Sequence, residues 1–272
     1  MLAPFAILIL ASRQQPAPLA DLAAKYAITI EVLKQPLDWH AAGYTVKAEP
    51  PDPKRIDIAP YLQLFEKEWS LYPPALIKRV HLHRIVFGVN LTMNGQIRAA
   101  VPAFEGDTMY YDPALGSYNA HYQRLVIHHE FFHLIDRRMG RLNRDREWSG
   151  LNPPSFHYGN GGDQMRTSGV GQLTDKIPGF LTPYATSAVE EDKAELFAHS
   201  VVDGPYVSEH AKSDPLLATK LTTLKGRLSG FEPSMGDGFW RQIAGWQLHL
   251  LNAPVDFVSR RELLATCLRT AP

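Results

Sequence analysis

The sequence predicts an α+β fold: a small N-terminal mixed sheet, then a run of helices. Three observations predict it. β-like stretches cluster before residue 112, helix-period stretches dominate after residue 118, and strands do not alternate with helices as a doubly wound parallel sheet requires. The chain has 272 residues, 45% hydrophobic and 21% charged. That is ordinary globular composition, ample for a buried core.

The elements follow in order. The apolar run Met1 to Ala11, with small residues after it, reads as the core and cleavage zone of a secretory signal, although no Lys or Arg precedes it. It is too short to span a bilayer, and no other segment is long and apolar enough. Residues 1–16 are therefore expected to be a signal or an unstructured terminus, and the protein to be secreted or periplasmic. A single catalytic domain is expected over 17–272, with 17–75 as a candidate accessory part.

Residues 17–26 read as a short helix, 28–33 as a strand and 47–55 as a Pro-rich loop. Residues 57–70 place Tyr61, Leu62, Phe65 and Trp69 on one helical stripe. Strands are expected at 81–89, 96–104 and 108–111, with Asn94-Gly95 as a hairpin turn. A long helix is expected over 118–139, with Arg137 and Arg138 in its last turn and Gly140 closing it. Residues 141–183 are rich in Gly, Pro, Asn and Ser and too long for a plain connection. They read as a functional rim or flap with some β-structure. A helix follows over 188–201, and further helices over 206–270 with breaks near Pro205, Pro215, Pro233 and Pro254.

Charge and cysteine narrow the function. Lys and Arg number 28, as do Asp and Glu, so no broad basic footprint for nucleic acid or anionic lipid exists. The single cysteine, Cys267, excludes an intrachain disulfide and any Cys-rich metal site. A metal must be held by His, Asp or Glu.

The long helix contains His129-Glu130-Phe131-Phe132-His133. Histidines at i and i+4 project from one helical face and can share one zinc ion, while Glu130 can reach a metal-bound water. A shuffled chain of this composition gives about 0.02 such matches, so chance is a poor explanation. An open zinc site needs a third protein ligand, and no His follows within residues 134–144.

The helix over 188–201 offers three glutamates. Ser187 and Glu190 fit a capping box, which gives Glu190 a structural task. Glu191 and Glu195 share a face. Glu191, in the first turn, is the better ligand; Glu195, one turn deeper, suits accepting the second ring N–H of a ligand histidine.

HEFFHLID at 129–136, followed by Tyr184-x6-Glu191-x3-Glu195, resembles the lethal-factor-like branch of the gluzincin metallopeptidases. The resemblance covers roughly 105–200. It implies a zincin-like fold with an active-site helix, a glutamate helix and a helical C-terminal part. It implies one zinc ion on His129, His133 and Glu191, with Glu130 as general base, Tyr184 as donor to the oxyanion and Glu195 behind the ligands. It implies a polypeptide substrate.

Other residues carry two readings. Asp136 can accept from a ligand histidine, or cap the helix end or pair with Arg137. His128 points away from the ligand face and reads as structural. His121, His157 and His199 either line the cleft or sit at the surface. Trp148, Phe156 and Tyr158 form a substrate wall or pack the loop. The strand at 97–104 or 108–111 is an edge that an extended peptide could join. The alternative functions are a zinc hydrolase of a non-peptide substrate and a non-catalytic binding module.

Overall fold

In the computed structural model, which describes residues 17–41, 43–165 and 169–252, the strands all precede residue 112, with three helices among them, and helices dominate the rest. The signal-like segment, Cys267 and the helix expected beyond residue 252 lie outside the described residues.

The first half builds two four-stranded sheets rather than one. In the first, β1 (Thr29–Val32), β4 (Arg84–Phe87) and β8 (Thr108–Tyr111) run parallel, and β7 (Ala100–Ala103) closes the edge antiparallel to β8. In the second, β2 (Leu37–Ala41), β3 (Tyr44–Glu49), β5 (Val89–Met93) and β6 (Gln96–Ile97) form an antiparallel meander.

Two expected strands are thus each divided between sheets. The run at 81–89 ends its first strand at Phe87 and enters the second sheet at Val89, and the run at 96–104 crosses back between Ile97 and Ala100. The hairpin forms where Asn94-Gly95 predicts it, both residues at positive φ (51° and 76°), as a two-residue type I′ turn requires. Lys47 to Glu49, expected in a loop, belong to β3.

The first sheet is buried on both faces, which explains its nearly continuous apolar strands. Ile85, Phe87, Met109 and Tyr111 point to the helices. Val86, Tyr110, Val101 and Ala103 point to Val46, Ala48 and Leu91 of the second sheet. On the helical side, α1 (Ala17–Tyr26), α2 (Ala59–Trp69) and α3 (Pro74–Arg79) cover the sheet. The predicted α2 stripe is fully engaged: Phe65 lies 4.8 Å from Phe87, 5.0 Å from Tyr111 and 5.4 Å from Trp69, centroid to centroid. Burying a side chain of this size contributes about 1.5–3 kcal/mol.

The long helix is α4 (Ala120–Arg138), capped by the Asn119 side chain, which accepts from Tyr122 N–H. It closes at Gly140, whose N–H reaches the Arg137 carbonyl while Arg141 N–H reaches that of Asp136. The glutamate helix is α6 (Val189–Val202), antiparallel to α4. α7 (Gly204–Ser213), α8 (Pro215–Phe231) and α9 (Asp237–Asn252) complete the helical part.

The rim at 141–183 differs from expectation. Among its described residues it holds α5 (Arg146–Ser149) and one 3-10 turn (Gly162–Gln164), and no strand. Buried polar anchors order it instead. One Asp192 carboxylate oxygen accepts from Trp148 Nε1 (2.7 Å), the Tyr158 hydroxyl (2.6 Å) and Lys220 Nζ (2.8 Å). Lys193 Nζ, fully buried, donates to the carbonyls of Arg141 (2.8 Å) and Leu142 (3.2 Å) and lies 2.6 Å from Asp136. The overall class is α+β, as predicted.

Candidate metal centre

α4 and α6 carry the site between them. Phe131 of α4 packs on Trp69 (4.6 Å) and Tyr72 (4.7 Å), and Phe132 stacks on Phe197 of α6 (4.9 Å). These contacts fix the rotation of both helices, and with it the direction of their polar faces.

Three potential ligand atoms converge there. His129 Nε2 lies 3.0 Å from Glu191 Oε2 and 3.1 Å from His133 Nε2, and His133 Nε2 lies 3.6 Å from the same carboxylate oxygen. The donor atoms of His129, His133 and Glu191 all fall within 4.8 Å of one another, so the three residues can hold a metal ion. Donors placed tetrahedrally about 2.1 Å from zinc are about 3.4 Å apart, close to this triangle.

The donor chemistry fits as well. Glu195 Oε1 accepts from Nδ1 of His129 at 2.9 Å, which leaves the Nε2 lone pair of a neutral His129 facing a carboxylate and a second imidazole. A cation satisfies that arrangement. Glu195 is itself fixed by the Thr182 hydroxyl, which donates to Oε2 at 2.6 Å.

The same surroundings favour positive charge at this position, whether a proton or a metal ion supplies it. Burial alone would depress His129, but Glu191 and Glu195 outweigh it and raise its pKa well above the usual imidazole range. Burial would raise Glu191 and Glu195; the neighbouring histidines outweigh it and hold both well below the ordinary carboxylate range. Glu130, half-buried beside the ligands, is raised by burial, with His129 and His133 opposing.

Tyr184 enters from the 3-10 turn Tyr184–Thr186, its ring 6.1 Å from that of His129. Its hydroxyl lies against Gly162 of the rim. A Cβ on Gly162 would stand 2.2 Å from that hydroxyl and 2.8 Å from Glu191 Oε1. Gly159 N–H to the Thr186 carbonyl and Gly161 N–H to that of Ser187 hold this strap in place.

Several expectations are corrected. Ser187 does not cap α6: it ends the preceding turn in helical backbone geometry (φ −74°, ψ −34°), whereas a cap needs extended backbone. Ala188 supplies that at φ −160°. The Ser187 hydroxyl has no partner among the described residues, so Glu190 has no capping box to complete. Asp136 pairs with Lys193, not with a ligand histidine, and Arg137 lies over the Phe104 ring; His133 Nδ1 has no hydrogen-bond partner among the described residues.

Trp148 is fully buried, so it packs the rim rather than facing a substrate. Phe156 stacks on Phe180 at 4.7 Å. His157 is exposed. His128 is buried between the Tyr72 hydroxyl (2.7 Å) and Glu68 (2.9 Å), as a structural histidine should be.

Three residues had no place in the sequence reading of the site: Thr182, Asp203 and Arg98. Arg98, between β6 and β7, adds positive potential at Glu130. For Asp203 a signal exists, since it lies eight residues beyond Glu195 in the same helical register.

No family model matches the chain, and no curated protein matches it in sequence. Among solved structures, one from Bacteroides caccae is similar: a crystal structure described as a "putative zinc-binding metallo-peptidase", with a TM-score of 0.52, 16% identity, and 88% of this chain and 93% of that one covered. The likeness is one of fold. It matches the α+β arrangement on which the His129, His133 and Glu191 cluster is built.

Proposed function

We propose that this protein is a zinc-dependent peptidase of the gluzincin kind, with a lethal-factor-like arrangement of Tyr184, Glu191 and Glu195. The observation that carries the reading is the convergence of His129 Nε2, His133 Nε2 and Glu191 Oε2 into a triangle of 3.0, 3.1 and 3.6 Å. These residues would hold one zinc ion, with Glu195 fixing the His129 tautomer. Bound there, zinc would supply Lewis-acid chemistry, polarising a scissile carbonyl and making water a stronger nucleophile.

The chain's own groups do the rest. Glu130 takes the proton of the attacking water and passes it to the leaving amine, a role suited to a carboxyl whose pKa is raised by burial. The Tyr184 hydroxyl donates to the oxyanion as it forms, where one placed donor contributes about 3 kcal/mol. A polypeptide substrate is supported by the antiparallel edge strand β7, which packs beside α4. Among the described residues, no helix is long and apolar enough to cross a membrane. Export is proposed from the 1–16 segment, and a single catalytic unit from the pairing of β1 within the same sheet as β8.

The test joins metal analysis to a peptide-library digest, with and without chelator. The expected result is one zinc per chain and chelator-sensitive cleavage. Glu130→Gln should keep the zinc and lose roughly 10²- to 10⁴-fold in turnover. A metal-free protein, or full activity in that variant, would overturn the assignment.

A further inference from the structure

The contact between the two site helices extends past the ligands. Glu191, Glu195, His199 and Asp203 recur every four residues from the first turn of α6 to the residue that ends it. On α4, His121, His129 and His133 stand at multiples of four. Because the helices are antiparallel, the two stripes meet in reverse order. Glu195 Oε1 bonds to His129 Nδ1 (2.9 Å), and its Oε2 lies 3.7 Å from His199 Nε2. His199 Nδ1 donates to Asp203 Oδ2 at 2.6 Å, and His121 Nε2 lies 2.7 Å from Asp203 Oδ1.

The result is an unbroken alternation of imidazole and carboxylate: His129, Glu195, His199, Asp203, His121. It begins at a candidate ligand and ends at a side chain 31% exposed to solvent. The middle of the chain is buried: His199 is 1% exposed. Burying a histidine is costly without partners; here Asp203 accepts a hydrogen bond from Nδ1, while Nε2 faces Glu195 at 3.7 Å as a charge contact. Asp203 and Glu195 together raise His199 to about 9 against the effect of burial, so it is an imidazolium at neutral pH.

We propose that Asp203, His199 and His121 are positioning residues for the metal centre, acting on the ligand His129 through Glu195. The bond from His129 Nδ1 sets both the tautomer and the ring angle of the ligand. Glu195 can set them only while its own carboxylate is held in one plane. The Thr182 hydroxyl and the His199 ring both stand against Glu195 Oε2, and Asp203 holds that ring in place through its Nδ1. His121 closes the far end of the network. It is not a ligand, since its nitrogens are not among the converging donor atoms.

This proposal rests on the reading of His129, His133 and Glu191 as a zinc site. The test uses the full chain, with zinc affinity measured by competition against a chromophoric chelator. A second readout is the ring ¹H–¹⁵N resonance of His129 Nδ1–H in the zinc-loaded protein. Asp203→Asn should weaken zinc about tenfold and shift that resonance; His121→Gln, at a partly exposed position that leaves the core intact, should weaken zinc by less than that and shift the resonance in the same direction.

If the wild type binds zinc, and the variants bind within experimental error of it with an unmoved resonance, the network only joins two helices and the proposal falls while the zinc reading stands. A wild type that binds no zinc overturns both. Should Asp203→Asn fail to fold, the His121→Gln measurements decide alone.

Discussion

At the scale of single residues, the site depends on a close approach at Gly162. Its φ is not in the left-handed region, so alanine is allowed by the backbone there. What forbids a side chain is the neighbour: a Cβ would meet the Tyr184 hydroxyl and Glu191 Oε1. Gly162→Ala should therefore behave like a site substitution. We expect it to lower kcat/KM about 10²-fold, similar to Tyr184→Phe, with the thermal midpoint within a few degrees of wild type. A Gly162→Ala enzyme of full activity would show that the strap moves aside freely.

The ligand residues were readable at this scale because each pair sits within one helix, where spacing alone sets direction. Glu195's partner Thr182 was not readable, since only the fold brings that turn to α6. The Ser187 and Glu190 pattern misled for a local reason: the preceding 3-10 turn consumes Ser187 in helical geometry and shifts the true cap to Ala188.

At the scale of elements, α6 is two-sided. Glu191 and Glu195 face the ligand histidines of α4, Lys193 joins Asp136 of α4 to the rim carbonyls, and Asp192 ties α6 to the rim and α8. Asp192 answers a buried cation, Lys220, so Asp192→Asn leaves that charge with only the Gly179 carbonyl and the more distant Asp214. The expected loss is about 3–5 kcal/mol in denaturant unfolding, and a loss below 1 kcal/mol would mean the rim is held by other contacts.

The same helix predicts a pH window for the metal-free protein. His199 titrates near 9, above the ~6.5 of a free imidazole, so the stability it contributes is complete below 6.5 and gone above 9. Asp203 is held well below the ordinary carboxylate range by His121 and His199, against burial. Its contribution is complete above ~4 and lost on further acidification. Thermal midpoints should fall on both sides of a plateau, and Asp203→Asn should flatten the alkaline slope.

Legibility differed between elements as well. α2 and α4 announced themselves by stripe and cap. β2 also had a signal, with Leu37, Trp39 and Ala41 alternating with Asp38 and His40, yet its half-exposed residues make it look like loop. The division of two apolar runs between separate sheets was not readable, because both faces of the first sheet are buried and the alternation that would mark a crossing is absent.

At the scale of the whole molecule, the α+β class follows from element order, and the rim escapes sequence reading because its order comes from single buried polar anchors that a local pattern does not encode. The candidate site also joins distant parts of the chain: His129 and Glu191 stand 62 positions apart, with the entire rim between them. A shared ion there acts as a clasp on a closed loop. In the chain-entropy picture, a cross-link of that span removes about 4 kcal/mol of freedom from the unfolded chain, apart from any catalytic service. Stripping the ion should therefore open the rim first, and limited proteolysis of chelated protein should nick within 141–183 well before the zinc-loaded form is cut. Identical cleavage patterns for the two forms would mean that the rim's own anchors close the loop unaided. An ion proposed to help cut other chains would then also be what keeps this chain's own rim from being cut.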